Sequence, residues 1–214
     1  SLLELEGTVE SYTRSPKLMF FGKLFLLVHD ENQRQVFLFE RNGKFVRKVG
    51  NLGNGPGEYS GEILGTMNSE ESRILICDKY SGRVTIYDTF GEPLFERNIT
   101  KEIGTGNVKG LLWNKDSVFE IIPHRPFDKN ISYNKVVQFD SEINLHNKIL
   151  PSITNSVYNP YTDYNAKVIA YNNHSYFWES ICDTIFQFDE NNNFIPAFIY
   201  ASGKSSIDTK NPSI

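Results

Sequence analysis

The feature that most constrains the fold is an internal repeat. Leu26 to Val46, "LLVHDENQRQVFLFERNGKFV", lies over Ile74 to Leu94 when shifted by 48 residues, so that Asp30 falls on Asp78, Val36 on Val84 and Gly43 on Gly91. Each copy reads as an apolar strand, an Asp-led turn, a second apolar strand ending in an acid, a Gly-containing turn and a third strand. That order is a β-meander written twice.

A shorter signature, a β-branched residue, two spacers, an aromatic and an acid, extends the series. It occurs at Val36/Phe39/Glu40, Val84/Tyr87/Asp88, Val136/Phe139/Asp140 and Ile185/Phe188/Asp189, at spacings of 48, 52 and 49 residues. A helical solenoid would place apolar residues three and four apart, and no segment here does so. Short strands repeated at such a period are the mark of propeller blades of about 40 to 50 residues. The chain is therefore expected to be all-β, a single β-propeller domain over residues 1–214. Its four-stranded antiparallel blades are expected near 18–49, 62–97, 108–149 and 166–200. Four blades use the chain completely and could close a four-bladed, purely structural ring. Residues 1–13, however, read as a leftover strand, and 203–214 as the entry to a further segment, which favours a larger ring of which the C-terminal part is missing.

Composition sets outer bounds. A hydrophobic fraction of 39% over 214 residues supports one buried core. The apolar runs "LMFF" and "LFLLV" are broken by Gly22 and Lys23, far short of the roughly 20 residues a spanning helix needs. A net charge of -4, with Lys and Arg scattered, argues against a nucleic-acid partner. Cys77 and Cys182 are too few and too far apart for a disulfide scaffold or a Cys-based zinc cluster, and are expected to be free thiols. No secretory leader is legible in the opening residues. Sequons at Asn98, Asn130 and Asn173 matter only in a eukaryotic secretory setting.

Two segments carry a family resemblance. "NGKFVRKVGNLGNGPGEY" followed by a second meander, and "YFWESICDTIFQFDENNNFIPAFIYASGK", resemble a six-bladed β-propeller family related to NHL-repeat proteins, found chiefly as surface or periplasmic lipoproteins of gut anaerobes. The resemblance implies a ring of six blades, a periplasmic or cell-surface location, and a lipid anchor upstream of residue 1.

The Gly-rich stretch Gly50 to Tyr59 invites a phosphate-loop reading, which the spacing rejects. A P-loop needs G-x-x-x-x-G-K-[ST], and no Gly-Lys pair here has a glycine five residues before its own. A dinucleotide fingerprint would require glycine where Glu58 stands. Pro56 and Gly57 instead suit the two central positions of a type II turn, so Gly55, Pro56, Gly57, Glu58 and Tyr59 are expected to form a structural crossing between blades. "DENNNF" from Asp189 has Phe194 where a calcium loop needs glycine and Tyr200 where it needs glutamate. Neither the four histidines nor any G-x-S-x-G elbow forms a metal or catalytic motif. No cofactor, metal or catalytic residue is expected. Asp30, Asp78 and Asp183 recur with the repeat and are expected to bond the turn that follows their strand.

Function is expected where the repeat is broken. Ile121 to Asn134 is an enlarged loop carrying His124, Arg125, Phe127 and Asp128, and "YFWE" sets Trp178 beside Glu179, an aromatic and an acid suited to a sugar or an amine. The expectation is a non-enzymatic binding or interaction propeller for a small molecule, glycan or protein. The other reading is a propeller enzyme, lactonase-, lyase- or hydrolase-like, with an axial site drawn from several blades.

Overall fold

The computed structural model describes residues 3–103, 108–113, 119–123, 136–149, 166–171, 174–179, 183–189 and 194–199. They form a β-propeller of four-stranded antiparallel blades. Blade one holds β1 (Pro16–Phe21), β2 (Phe25–Asp30), β3 (Gln35–Glu40) and β4 (Phe45–Val49). The crossing to blade two contains β5 (Asn51–Leu52) and β6 (Glu58–Tyr59), paired in parallel. Blade two holds β7 (Ile63–Met67), β8 (Arg73–Asp78), β9 (Arg83–Asp88) and β10 (Pro93–Asn98), followed by one helical turn, α1 (Thr100–Ile103). Blade three holds β11 (Val108–Trp113), β12 (Phe119–Pro123), β13 (Val136–Phe139) and β14 (Leu145–Ile149). Blade four holds β15 (Ala166–Tyr171), β16 (His174–Glu179), β17 (Thr184–Phe188) and β18 (Phe194–Ile199).

The strand sequences follow from this stacking. A middle strand lies between two neighbouring layers and is buried on both faces, so β2, β3, β8 and β9 read as continuous apolar runs rather than alternating ones. From β2 and β3, Leu27, Val36 and Leu38 meet Ile63, Ile74, Ile76 and Tyr87 of blade two. From β8 and β9, Leu75, Cys77, Val84 and Ile86 meet Trp113, Val137 and Phe139 of blade three. Each such side chain contributes roughly 1.5–3 kcal/mol by leaving water. The first strands pack side by side in the order β1, β7, β11, β15. No comparable packing joins β15 back to β1 among the described residues.

The two outer faces of this arc differ. Leu26, Val28, Phe37 and Phe39 point away from blade two and are buried with Phe45 and with Leu5 of the N-terminal segment. That segment is a strap rather than the expected strand. The Glu6 N–H donates to the Gly43 carbonyl at 2.8 Å, and the Glu6 carboxylate accepts the Phe45 N–H at 2.8 Å. On blade four, cross-strand pairing puts Ile169, Tyr176, Ile195 and Phe198 on one face with Tyr171. Tyr171 is 65% and Phe198 58% exposed, although the Tyr176 and Phe198 rings meet at 5.9 Å.

The acid that closes the repeat signature has a plain task. Asp88 accepts the N–H groups of Phe90 and Glu92 at 2.8 and 2.9 Å, and Asp140 those of Glu142 and Asn144 at 2.9 Å. The turn these acids tie needs a left-handed residue, supplied by Gly43 and Gly91 in blades one and two. Blade three puts Ile143 there, at φ 64°. The strain of about 1–2 kcal/mol is offset because the side chain is buried in the core with Phe139.

Candidate functional site

The loop from Gly50 to Tyr59 crosses from blade one to blade two, and its polar groups are already engaged. The Glu58 carboxylate accepts the Gly55 N–H, and the Glu96 carboxylate of β10 accepts the Gly57 N–H, both at 2.7 Å. Those are the donors a phosphate loop would aim at its ligand. Arg83 of β9 donates to the carbonyls of Asn54, Gly55 and Glu58 at 3.2, 3.1 and 3.3 Å. At Gly53 a Cβ would lie 2.0 Å from the Glu58 carboxylate oxygen, so a larger residue there would displace the carboxylate that holds the Gly55 N–H.

Two tyrosines fasten the loop to both blades. The buried Tyr59 hydroxyl donates to the Val49 carbonyl at 3.1 Å and accepts the Val36 N–H at 3.0 Å and the Gln35 amide at 3.0 Å. Tyr87 of blade two donates to the Gly57 carbonyl at 3.0 Å. Burial pushes the Tyr59 phenol well above its ordinary value and that of Tyr87 up to about 12. Both therefore act as neutral hydrogen-bonding groups across the ordinary pH range.

The recurring aspartates do more than bond the following turn. Asp30 accepts the Gln33 N–H in that turn at 2.8 Å and also the N–H groups of Arg14 and Ser15 ahead of β1. Asp78 accepts Tyr80 and Ser81 at 3.1 Å and reaches Ser60, N–H at 3.1 Å and hydroxyl at 2.7 Å, ahead of β7. Each thus ties the entrance of its blade to the hairpin beside it. Burial works to raise both carboxyls, but the donors outweigh it and hold both below the ordinary aspartate value. Asp183 departs from this pattern: it precedes β17 instead of ending β16, and accepts only the Thr184 hydroxyl, at 2.9 Å, among the described contacts.

Of the binding candidates, His124, Arg125, Phe127 and Asp128 lie outside the described residues, as does Cys182. Trp178 is half-buried on β16, opposite Lys167 of β15. Glu179 ends β16, paired with Ala166. Cys77 is a buried free thiol whose pKa burial drives far up, so it is not a nucleophile. Among the described residues no three His, Cys, Asp or Glu side chains gather as a metal site, and no helix is long and apolar enough to cross a membrane. Sequence reading missed Arg83, Glu96 and Glu71, whose partners are 25 to 48 residues away and leave no local motif.

A family model described as a domain of unknown function, DUF4934, matches residues 1–213. The chain belongs to the DUF4934 family. No curated protein matches its sequence. Among solved structures, this DUF4934 chain is similar to a Bacteroides fragilis protein inferred to be exported, at TM-score 0.68 and 18% identity, covering 94% of this chain and 55% of that one. A Bacteroides vulgatus member of the DUF4221 family follows at 0.62 and 13%, covering 94% and 62%. Virginiamycin B lyase from Staphylococcus aureus aligns at 0.59 and 10%, covering 90% and 58%. The DUF4934 chain thus spans between 55% and 62% of the length of these structures. At such identities the likeness establishes the propeller fold.

Proposed function

We propose that this DUF4934 chain is a non-enzymatic binding or protein-interaction module, secreted and held in the periplasm or at the cell surface as a lipoprotein. The observation that carries it is where the carboxylates go. Asp30, Asp78, Glu58, Glu71 and Glu96 each accept backbone N–H groups that hold blades or loops together. A general acid or base must instead face a substrate. The similarity to an exported Bacteroides protein supports the location.

The chain forms part of a six-bladed ring of the NHL-repeat-like kind. Three features support that reading: the open order β1, β7, β11, β15, the bare apolar face of blade four, and the greater length of the similar structures. Ligand is taken up on the enlarged loop by His124, Arg125 and Phe127 and beside Trp178 and Glu179, with the Gly55 to Tyr59 crossing serving structure alone.

A screen of the chain against glycan and peptide arrays tests the reading. Saturable binding weakened by Arg125→Ala is expected, and unchanged affinity would remove that loop from the site. Similarity to virginiamycin B lyase favours the enzyme alternative, in which this chain acts on a related substrate. Conversion of quinupristin by the purified chain, followed by mass spectrometry, would overturn the non-enzymatic reading. For the ring, the full gene is expected to encode a lipoprotein signal and two further blades.

A further inference from the structure

Where blade two meets blade three, a cavity of about 200 Å³ opens between Asn68, Glu70, Ser72, Arg73, Trp113 and Ser141. Its walls are held in place. The Asn68 side chain accepts the N–H groups of Ser72 and Arg73 at 2.9 Å and donates to the Ser72 hydroxyl at 3.0 Å, which fixes the β7–β8 turn. Glu71 in the same turn is tied to blade one, so Glu70 beside it is left outward and exposed. Arg73 reaches the Ser141 carbonyl of the β13–β14 turn at 3.4 Å, bridging the two blades. Trp113, the last residue of β11, is 6% exposed and lines the cavity from blade three.

Volume and chemistry together narrow the occupant. At about 200 Å³ the space falls below the roughly 300–1,000 Å³ of ordinary ligand pockets, which suits one sugar ring and excludes a folded peptide. An anion would meet Glu70, and a cation would meet Arg73. A neutral ligand rich in hydroxyls satisfies both, because a carboxylate accepts from and a guanidinium donates to neighbouring hydroxyl pairs. We propose that this cavity is a binding site for a single neutral sugar residue, with Glu70 and Arg73 as its polar anchors. The assignment rests on the binding-module reading and names a ligand class and a place for it.

The test is an NMR titration of the full chain with glucose, galactose, mannose and N-acetylglucosamine, following the Trp113 indole N–H resonance assigned by Trp113→Phe. A saturable shift with at least one sugar is expected, with affinity weakened tenfold or more in both Glu70→Gln and Arg73→Met. Glu70 is exposed and Glu70→Gln should leave the unfolding midpoint unchanged, so loss of binding there reports the site and not the fold. No saturable shift with any of the four sugars overturns the proposal. So does binding that survives both substitutions, and in that case sugar held elsewhere on the chain leaves the binding-module reading standing.

Discussion

The Glu71 carboxylate of blade two accepts the backbone N–H of Leu24 in blade one at 2.8 Å. It also takes the N–H of Phe25 at 2.8 Å and that of Lys23, so one buried side chain satisfies the whole β1–β2 turn of its neighbour. Glu71 stands at φ 55°, a conformation its own turn must hold against strain. Replacing it by Ala removes the charged acceptor shared by three turn N–H groups, at about 1–3 kcal/mol. Glu71→Ala should lower the urea midpoint accordingly, and Glu71→Gln should lose less. An unchanged midpoint for Glu71→Ala would show that the turn is held by other means.

Tyr59→Phe tests the rivet between the interblade loop and blade one. The phenol is the acceptor for the Val36 N–H inside a buried strand pair, so its removal should cost about 1–3 kcal/mol with little loss of apolar packing. Hydrogen exchange should report the loss locally, as faster exchange at Val36.

Gly57→Ala should be worse than an ordinary loop substitution. The residue sits at φ 68°, and an added Cβ would lie 2.9 Å from Pro93 Cγ. Left-handed strain of roughly 1–2 kcal/mol and the clash add together. Thermal unfolding of Gly55→Ala is the control, since Gly55 is not at positive φ and its Cβ would meet only the Glu58 carboxylate, at 3.0 Å.

Acid should weaken the fold in two steps. His29 is buried, and burial lowers its pKa below the ordinary 6.5, so the unfolded chain takes up the proton first and stability begins to fall as pH drops through about 6.5. Asp30 and Asp78 lie below the ordinary 3.8, so their contribution is complete above that value and lost as pH falls through their folded values beneath it. Urea midpoints against pH should show both declines. His29→Gln should flatten the first, and Asp78→Asn should flatten part of the second while lowering the midpoint at neutral pH. A profile unmoved by either substitution would sink the assignment.

Much of the architecture is written locally. Val36 and Phe39 recur as Val84 and Tyr87 because a strand sandwiched between layers must be apolar on both faces, and the turn that follows is held by Asp88 in blade two and by Asn42 beside Glu40 in blade one. Gly43 and Gly91 recur because that turn needs a left-handed residue. Such requirements act within a few residues of one another, so the order of residues alone determined the all-β class, the propeller and the crossing at Gly50 to Tyr59.

What only the tertiary structure decided is which groups meet across blades. Arg83 and Glu96 look like ordinary surface charges in sequence, yet they engage the carbonyls and the Gly57 N–H of a loop some 25 to 39 residues earlier. Glu71 is one acid among many until blade two stacks on blade one and brings it to Leu24. The cavity beside Trp113 likewise exists only because Arg73 and Ser141, 68 residues apart, are set facing each other by the angle between two sheets. That angle is a property of packed layers, and no single segment of the chain encodes it.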